Sequence, residues 1–143
     1  MLRFERVKGA APAMAIVTLL LIGGVPAVMA HQCVAVEILR SPDAAVPGEL
    51  IETESSAANC GDPARAFVLS WVLVDEKGDR TVLKRTAARI PQGQTISGFN
   101  RLLLPTRLRP GIYELAHLGE APSGFTDTDV VRIEIKRRRQ HGR

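Results

Sequence analysis

The sequence has few of the residue types on which enzymes and metal centres depend. Its 143 residues include three histidines, two cysteines, one tryptophan and one tyrosine. Cys33 and Cys60 form no CxxC pair, and no third thiol completes a cysteine-rich metal site. No serine or cysteine lies in a nucleophile-type turn, and no glycine-rich phosphate cradle is present. These absences predict a protein that is not an enzyme and has no resident cofactor.

The basic character of the chain lies at its two ends rather than in its body. The formal charge is +4, but residues 31–136 taken alone carry −2, and four arginines lie within residues 137–143. A body without a basic stripe, with one tryptophan and one tyrosine, predicts no nucleic-acid binding. The short basic tail, residues 137–143, predicts either weak contact with an anionic surface or a solvated terminus.

The first thirty residues have the layout of a secretory signal peptide. Basic residues within the first eight positions precede an uncharged apolar run from Ala10, and Val28-Met29-Ala30 offers the small-residue spacing of a cleavage site. We therefore expect residues 1–30 to be removed and the mature chain to begin at His31, in the periplasm or outside the cell. The alternative is a retained leader, which would make the protein a membrane-anchored accessory subunit.

The mature chain has the pattern of an all-β domain. Short runs of alternating apolar and polar residues recur between proline and glycine turns, and no amphipathic helix is evident. Seven strands at this spacing predict an antiparallel immunoglobulin-like sandwich of two sheets over residues 31–136. The predicted strands are 34–39, 49–58, 66–74, 81–89, 95–104, 111–118 and 130–136.

Two segments of the predicted strands are apolar on both faces. The segment 66–74 is apolar on both faces, as in a central strand, and Trp71 is its natural core anchor. Leu102-Leu103-Leu104 places apolar residues on both faces of a strand end, so at least one should point outward. This leucine run predicts either a partner-binding patch or a surface covered by the following connection.

The two cysteines are predicted to form a structural disulfide. Consecutive antiparallel strands pair symmetrically about their turn, and the midpoint of Cys33 and Cys60 falls inside Val46-Pro47-Gly48. A simple hairpin of the first two strands would place the two cysteines opposite each other. Closing this loop should stabilise the fold by about 3–4 kcal/mol.

Two stretches resemble bacterial immunoglobulin-like modules of the CARDB and fibronectin-III-like type. The segment 59–67 resembles the N-x-G-D…F segment of CARDB domains, and 108–115 resembles the P-G-x-Y-x-L entry to their sixth strand. The resemblance implies that Tyr113 secures a corner through its hydroxyl. The antibody-type disulfide is absent, since Leu115 stands at its second position. Modules of this kind mostly serve adhesion, spacing or binding, which implies a protein or cell-surface partner.

A second resemblance concerns the mature N-terminus. A histidine exposed by cleavage can chelate Cu(II) through its α-amine and imidazole, and His31 resembles the start of periplasmic copper-binding β-sandwich proteins of the copper-resistance type. Their later Asp-x-His motif is Asp127-Thr128-Asp129 here, so His117 would have to supply the second imidazole. The acidic pair at 127 and 129 could instead hold calcium or support a turn.

The sequence thus leaves two functions open. The first is an exported, non-catalytic immunoglobulin-like binding or accessory module with an unidentified partner. The second is a small periplasmic copper-binding protein in which His31, His117 and Asp127 contribute to the site.

Overall fold

The structure, a computed structural model, describes residues 33–61 and 65–139. The predicted signal peptide, His31 and the end of the basic tail lie outside these ranges. Across the described residues the chain forms strands and turns, and it has no helix long and apolar enough to cross a membrane.

Eight strands form two sheets packed face to face, as the alternating pattern predicts. The strands are β1 Val34–Arg40, β2 Ala44–Ala45, β3 Leu50–Asn59, β4 Arg65–Val74, β5 Arg80–Ile90, β6 Thr95–Leu103, β7 Gly111–Glu120 and β8 Thr126–Ile135. The smaller sheet has the order β1-β3-β6, and the larger has the order β2-β8-β7-β4-β5.

Alternation along the strands produces a core in two parts. One cluster surrounds Trp71, Leu73 and Leu115, and the other surrounds Val34 and Phe67. In the leucine run Leu102 and Leu104 are each 1% exposed, whereas Leu103 is 63% exposed, so one leucine points outward as expected. The apolar side chains buried between the sheets supply the main favourable term in folding.

The register of the first two long strands agrees with the position of the cysteines. Val34 pairs with Asn59, which continues to the disulfide between Cys33 and Cys60, whose Cα atoms are 5.0 Å apart. The expectation of a simple hairpin is wrong, however. Between β1 and β3 the chain crosses to the larger sheet, where Ala44–Ala45 pairs in parallel with β8. With this two-residue strand the described residues form eight strands, one more than the seven predicted.

The last strand begins earlier than predicted. Asp127-Thr128-Asp129 was expected to form a loop but belongs to β8, where Asp129 pairs with His117 and Asp127 with Gly119. A polar Thr-Asp alternation disfavours a strand by propensity. Tertiary contacts override that propensity, because both carboxylates bond to a neighbouring strand.

One close approach brings the two sheets together at β7. A Cβ atom at Gly119 would lie 2.6 Å from Cγ1 of Val36 and 3.0 Å from Cγ2 of Val34. The backbone of β7 therefore lies directly against side chains of β1, and only glycine fits there.

Candidate functional site

One edge of the sandwich is closed by side chains. The Oδ2 atom of Asp127 accepts a hydrogen bond from the Val36 amide at 2.8 Å, and Oδ2 of Asp129 accepts one from the Ile38 amide at 2.7 Å. The carboxylates on β8 thereby satisfy backbone donors on the outer side of β1, which would otherwise be a free strand edge.

The opposite edge of the sandwich is open. β5 ends the larger sheet and β6 ends the smaller one, and among the described strands no backbone ladder joins them. Between the two edges lies a cleft of about 180 Å³ that reaches inward to Trp71 and His117. We call this space, with its rim on β5 and β6, the open-edge cleft. Its polar lining comes from Ser55, Lys84, Thr86, Ser97, Asn100 and His117, and the rest from Ala57, Leu69, Trp71, Ile96, Gly98 and Phe99.

His117 lies at the inner end of the open-edge cleft. Its imidazole stacks on Trp71, with ring centroids 4.3 Å apart and an angle of 23° between the planes. The residue is 1% exposed, and neither ring nitrogen has a hydrogen-bond partner among the described residues. Leaving buried donors and acceptors unpaired costs about 1–3 kcal/mol each. The unpaired nitrogens of His117 therefore destabilise the folded state, and they make this imidazole the chemically most unusual group of the cleft.

Burial holds the pKa of His117 below its ordinary value of 6.5. The Ser70 backbone and the Asp129 carboxylate act in the opposite direction, but they do not cancel the loss of hydration. The Ser70 backbone lies near enough to the ring to raise this pKa, but it forms no hydrogen bond with either ring nitrogen. The imidazole is accordingly neutral near pH 7, with one nitrogen as a donor and the other as an acceptor.

A short polar chain spans the outer part of the open-edge cleft. Lys84 Nζ on β5 donates to Asn100 Oδ1 on β6 at 3.4 Å, and Asn100 Nδ2 donates to Ser55 Oγ on β3 at 3.2 Å. Among the described residues, Lys84 is the only charged one that lines the cleft. A ligand entering the cleft would meet a cation at the mouth and an imidazole at the base.

All charged residues on the two strands that border the cleft are basic. Residues 80–103 include five basic and no acidic residues, although the body of the protein is mildly acidic. Two of the five form exposed ion pairs, Arg85 with Glu120 and Arg101 with Glu52, at 3.9 and 3.8 Å. These two pairs offset part of the charge. The other three basic residues, Arg80, Lys84 and Arg89, form no ion pair with the described residues, so the open edge keeps an excess of positive charge.

The structure describes each of the residues for which the sequence predicts a structural role. Cys33 and Cys60 form a disulfide, and Trp71 is buried in the core. The hydroxyl of Tyr113 donates to the carbonyl oxygen of Arg109, four residues upstream, at 3.0 Å. This is the hydrogen bond that a tyrosine corner requires.

The three predicted metal ligands are not brought together as an exposed set. His31 lies outside the described residues, His117 is buried against Trp71, and Asp127 already bonds to the Val36 amide. Within residues 33–61 and 65–139 no cluster of three His, Cys, Asp or Glu side chains could hold a metal ion. Copper binding through His31 stays a prediction from the sequence.

Sequence reasoning did not find the open-edge cleft. Two features of the sequence relate to this cleft. Residues 80–103 contain no acidic residue, and His117 takes an inward-facing position in its strand. Neither feature locates a site until the topology places consecutive strands β5 and β6 in different sheets.

Comparison with known proteins identifies the fold but no family. No family model matches the chain, and no curated protein matches it. Among solved structures, a β-glucosidase from Listeria innocua is similar with a TM-score of 0.55 and 17% identity, over 73% of this chain but only 16% of the enzyme. AvmM, which catalyses macrocyclization in alchivemycin A biosynthesis, has a TM-score of 0.51 and 11% identity, over 73% of this chain and 89% of its own.

A CARDB domain is also among the similar structures. It comes from Pyrococcus furiosus, was solved in complex with di-metal ions, and has a TM-score of 0.49 and 17% identity, over 71% of this chain and 87% of the domain. At these identities the comparisons define a two-sheet β-domain, and function has to be argued from the site.

Proposed function

We propose that this protein is an exported, non-catalytic immunoglobulin-like module that binds a partner protein at its open edge. The observation that carries the proposal is the difference between the two edges of the sandwich. Asp127 and Asp129 close the β1 edge, whereas β5 and β6 keep free edges on either side of a cleft. Exposed strand edges pair readily with other chains unless they are covered or charged. The basic side chains of β5 disfavour pairing with a second copy of the same edge, so the open edge indicates a surface for a different partner.

Export is supported by the disulfide and by the composition of the N-terminus. Disulfides persist in oxidising compartments and are rare in the cytosol, and Cys33 is joined to Cys60 here. The basic and apolar start of the sequence fits the same route. Intact mass and N-terminal sequencing of the exported protein test this part: a start at His31 with both thiols oxidised supports it, and a retained leader or free thiols contradict it.

The absence of catalysis is supported by the residues of the cleft. Neither ring nitrogen of His117 bonds to a hydroxyl, amine or carboxylate among the described residues, and an activated nucleophile needs a base within hydrogen-bond reach. The chemistry that remains is recognition through hydrogen bonds, charge and burial.

Photocrosslinking in the exporting cell tests the binding function. A benzoylphenylalanine residue replaces Thr86, which lies exposed at the cleft rim, or Glu37, which lies exposed on β1 beside the closed edge. We expect a discrete adduct from position 86 and none from position 37. Adducts from position 37 alone, or from neither position, would contradict a partner at the open edge.

A further inference from the structure

We infer that the open-edge cleft receives an extended acidic segment of a partner protein, which inserts one carboxylate side chain between Lys84 and His117. The inference rests on the proposed function, since it names the chemistry of the partner at the same edge. Size, unsatisfied hydrogen bonds, charge and backbone pairing each support it.

The size of the cleft fits a side chain better than a whole ligand. Its volume is about 180 Å³, whereas pockets for drug-sized molecules measure roughly 300–1,000 Å³. Gly98 lines the cleft on the β6 side. A Cβ atom at this position would have no heavy atom within 4 Å, so the cleft is open here.

The polar groups of the cleft with unused hydrogen-bonding capacity are those of His117 and Lys84. Both nitrogens of His117 are buried without a partner among the described residues, and His117 lines the cleft. Lys84 Nζ makes a single long hydrogen bond to Asn100, at 3.4 Å. A carboxylate between the two would accept from the ammonium and from the imidazole N–H, and charge-assisted bonds of this kind are the stronger class.

Charge and backbone geometry indicate an acidic strand as the carrier of that carboxylate. Residues 80–103 carry five positive charges and no negative one, and three of the five form no ion pair with the described residues. This excess of positive charge attracts an acidic chain and repels a basic one. The free edges of β5 and β6 offer backbone donors and acceptors to an added strand, and alternate side chains of such a strand point to one side. A segment on this edge therefore presents a side chain to the cleft.

Selection of random nonapeptides displayed on phage tests the inference with the exported protein as target. Binders that also recognise the Gly98→Leu variant are subtracted, because leucine at this position should fill the entrance. We expect the remaining peptides to be enriched in Asp or Glu at one position. Trp71 is the only tryptophan of the chain and lines the cleft, so its emission reports the binding of tryptophan-free peptides.

A matched pair of charge reversals separates the cleft from general electrostatics. Lys84→Glu should weaken the selected peptides roughly tenfold, the equivalent of one charge-assisted hydrogen bond. Lys77→Glu, in the exposed turn after β4 and outside the cleft, should have little effect. His117→Phe retains a ring for Trp71 and should also weaken binding. Circular dichroism of each variant checks that the fold is retained.

Several results would overturn the inference. These are selected peptides without acidic enrichment, no selectable peptide, equal losses in the Lys84 and Lys77 variants, or free glutamate or acetate changing Trp71 emission as strongly as any peptide. A crosslink at position 86 without acidic selection would leave the proposed function standing and remove only this inference. If the crosslink also fails, both fall.

Discussion

The Oδ2 atom of Asp129 accepts the Ile38 amide hydrogen at 2.7 Å, and through this bond one sheet closes the edge of the other. Asp127 makes the same contact with Val36 two residues away on both strands. The two-residue period of a strand brings alternate side chains of β8 to alternate amides of β1. The acidic pair that suggests a metal site in the sequence thus has a structural role.

Removing one of these carboxylates should weaken the closed edge. We expect Asp129→Ala to lower the free energy of unfolding by about 1–2 kcal/mol, since a hydrogen bond to a charged acceptor is lost. Asp129→Asn, which keeps an acceptor oxygen, should cost less. Urea denaturation measures both, with Thr128→Ala on the exposed face of β8 as the control. Equal stability of the Asp129→Ala and Thr128→Ala variants would refute the role of the carboxylate.

Two glycines that both lie within strands should respond in opposite ways to alanine. Gly119→Ala places a methyl group against Val36 and Val34 and should destabilise the fold by about 1–3 kcal/mol. Gly98→Ala points into open space and should be neutral or stabilising by up to about 1 kcal/mol, because alanine restricts the unfolded chain. Thermal unfolding compares the two, and a tolerated Gly119→Ala would contradict the close approach of β7 and β1.

His117 should make stability depend on pH. The pKa of its imidazole is lowered by burial in the folded state, so the unfolded chain binds the proton more readily. The neutral imidazole therefore contributes its whole share to the free energy of unfolding at pH values well above 6.5. This contribution is lost as the pH falls through 6.5 toward the lower pKa of the folded state. We expect His117→Phe to show a smaller loss between pH 7.5 and 5.5 and to be more stable at pH 7.5 by about 1–3 kcal/mol.

Urea denaturation of both proteins at the two pH values tests this account of His117. Subtracting the variant from the parent removes the contributions of His31 and His141, which both proteins share. Identical pH dependence in the two proteins would show that the imidazole is not buried and unpaired.

The disulfide should matter only under oxidising conditions. Cys33→Ser should lower the free energy of unfolding by about 3–4 kcal/mol relative to the oxidised parent, because the bond closes the loop to Cys60. After full reduction the parent and the variant should unfold alike. A difference that persists under reduction would assign the loss to packing rather than to the covalent bond.

The hydroxyl of Tyr113 should contribute modestly to the corner between the 105–110 connection and β7. Tyr113→Phe removes only its hydrogen bond to Arg109, so we expect a loss of about 1 kcal/mol in chemical denaturation. No loss would mean that the bond gives no net stability.

Local patterns predict the elements well in this chain. Alternation assigns Val131, Ile133 and Ile135 to the inward face of the last strand, and Ile133 and Ile135 are fully buried. The midpoint of Cys33 and Cys60 gives the pairing of their strands. Each of these inferences depends on residues close in sequence or joined by a single turn.

Features that depend on long-range placement could not be predicted. Ala44–Ala45 is too short to recognise as a strand, and it exists because β8 lies beside it. Asp127 and Asp129 look like loop residues until β1 supplies their donors. The open-edge cleft exists because β6 pairs with β3 rather than with β5, which precedes it in the chain.

The most direct test of the account is amide-resolved NMR of the isotope-labelled exported protein, recorded while a segment of the crosslinked partner is added. We expect shifts concentrated in β5 and β6 and in the indole signal of Trp71, with β1 and β8 unchanged beside Asp127 and Asp129. Shifts concentrated along β1 and β8, with β5, β6 and the indole unchanged, would contradict it.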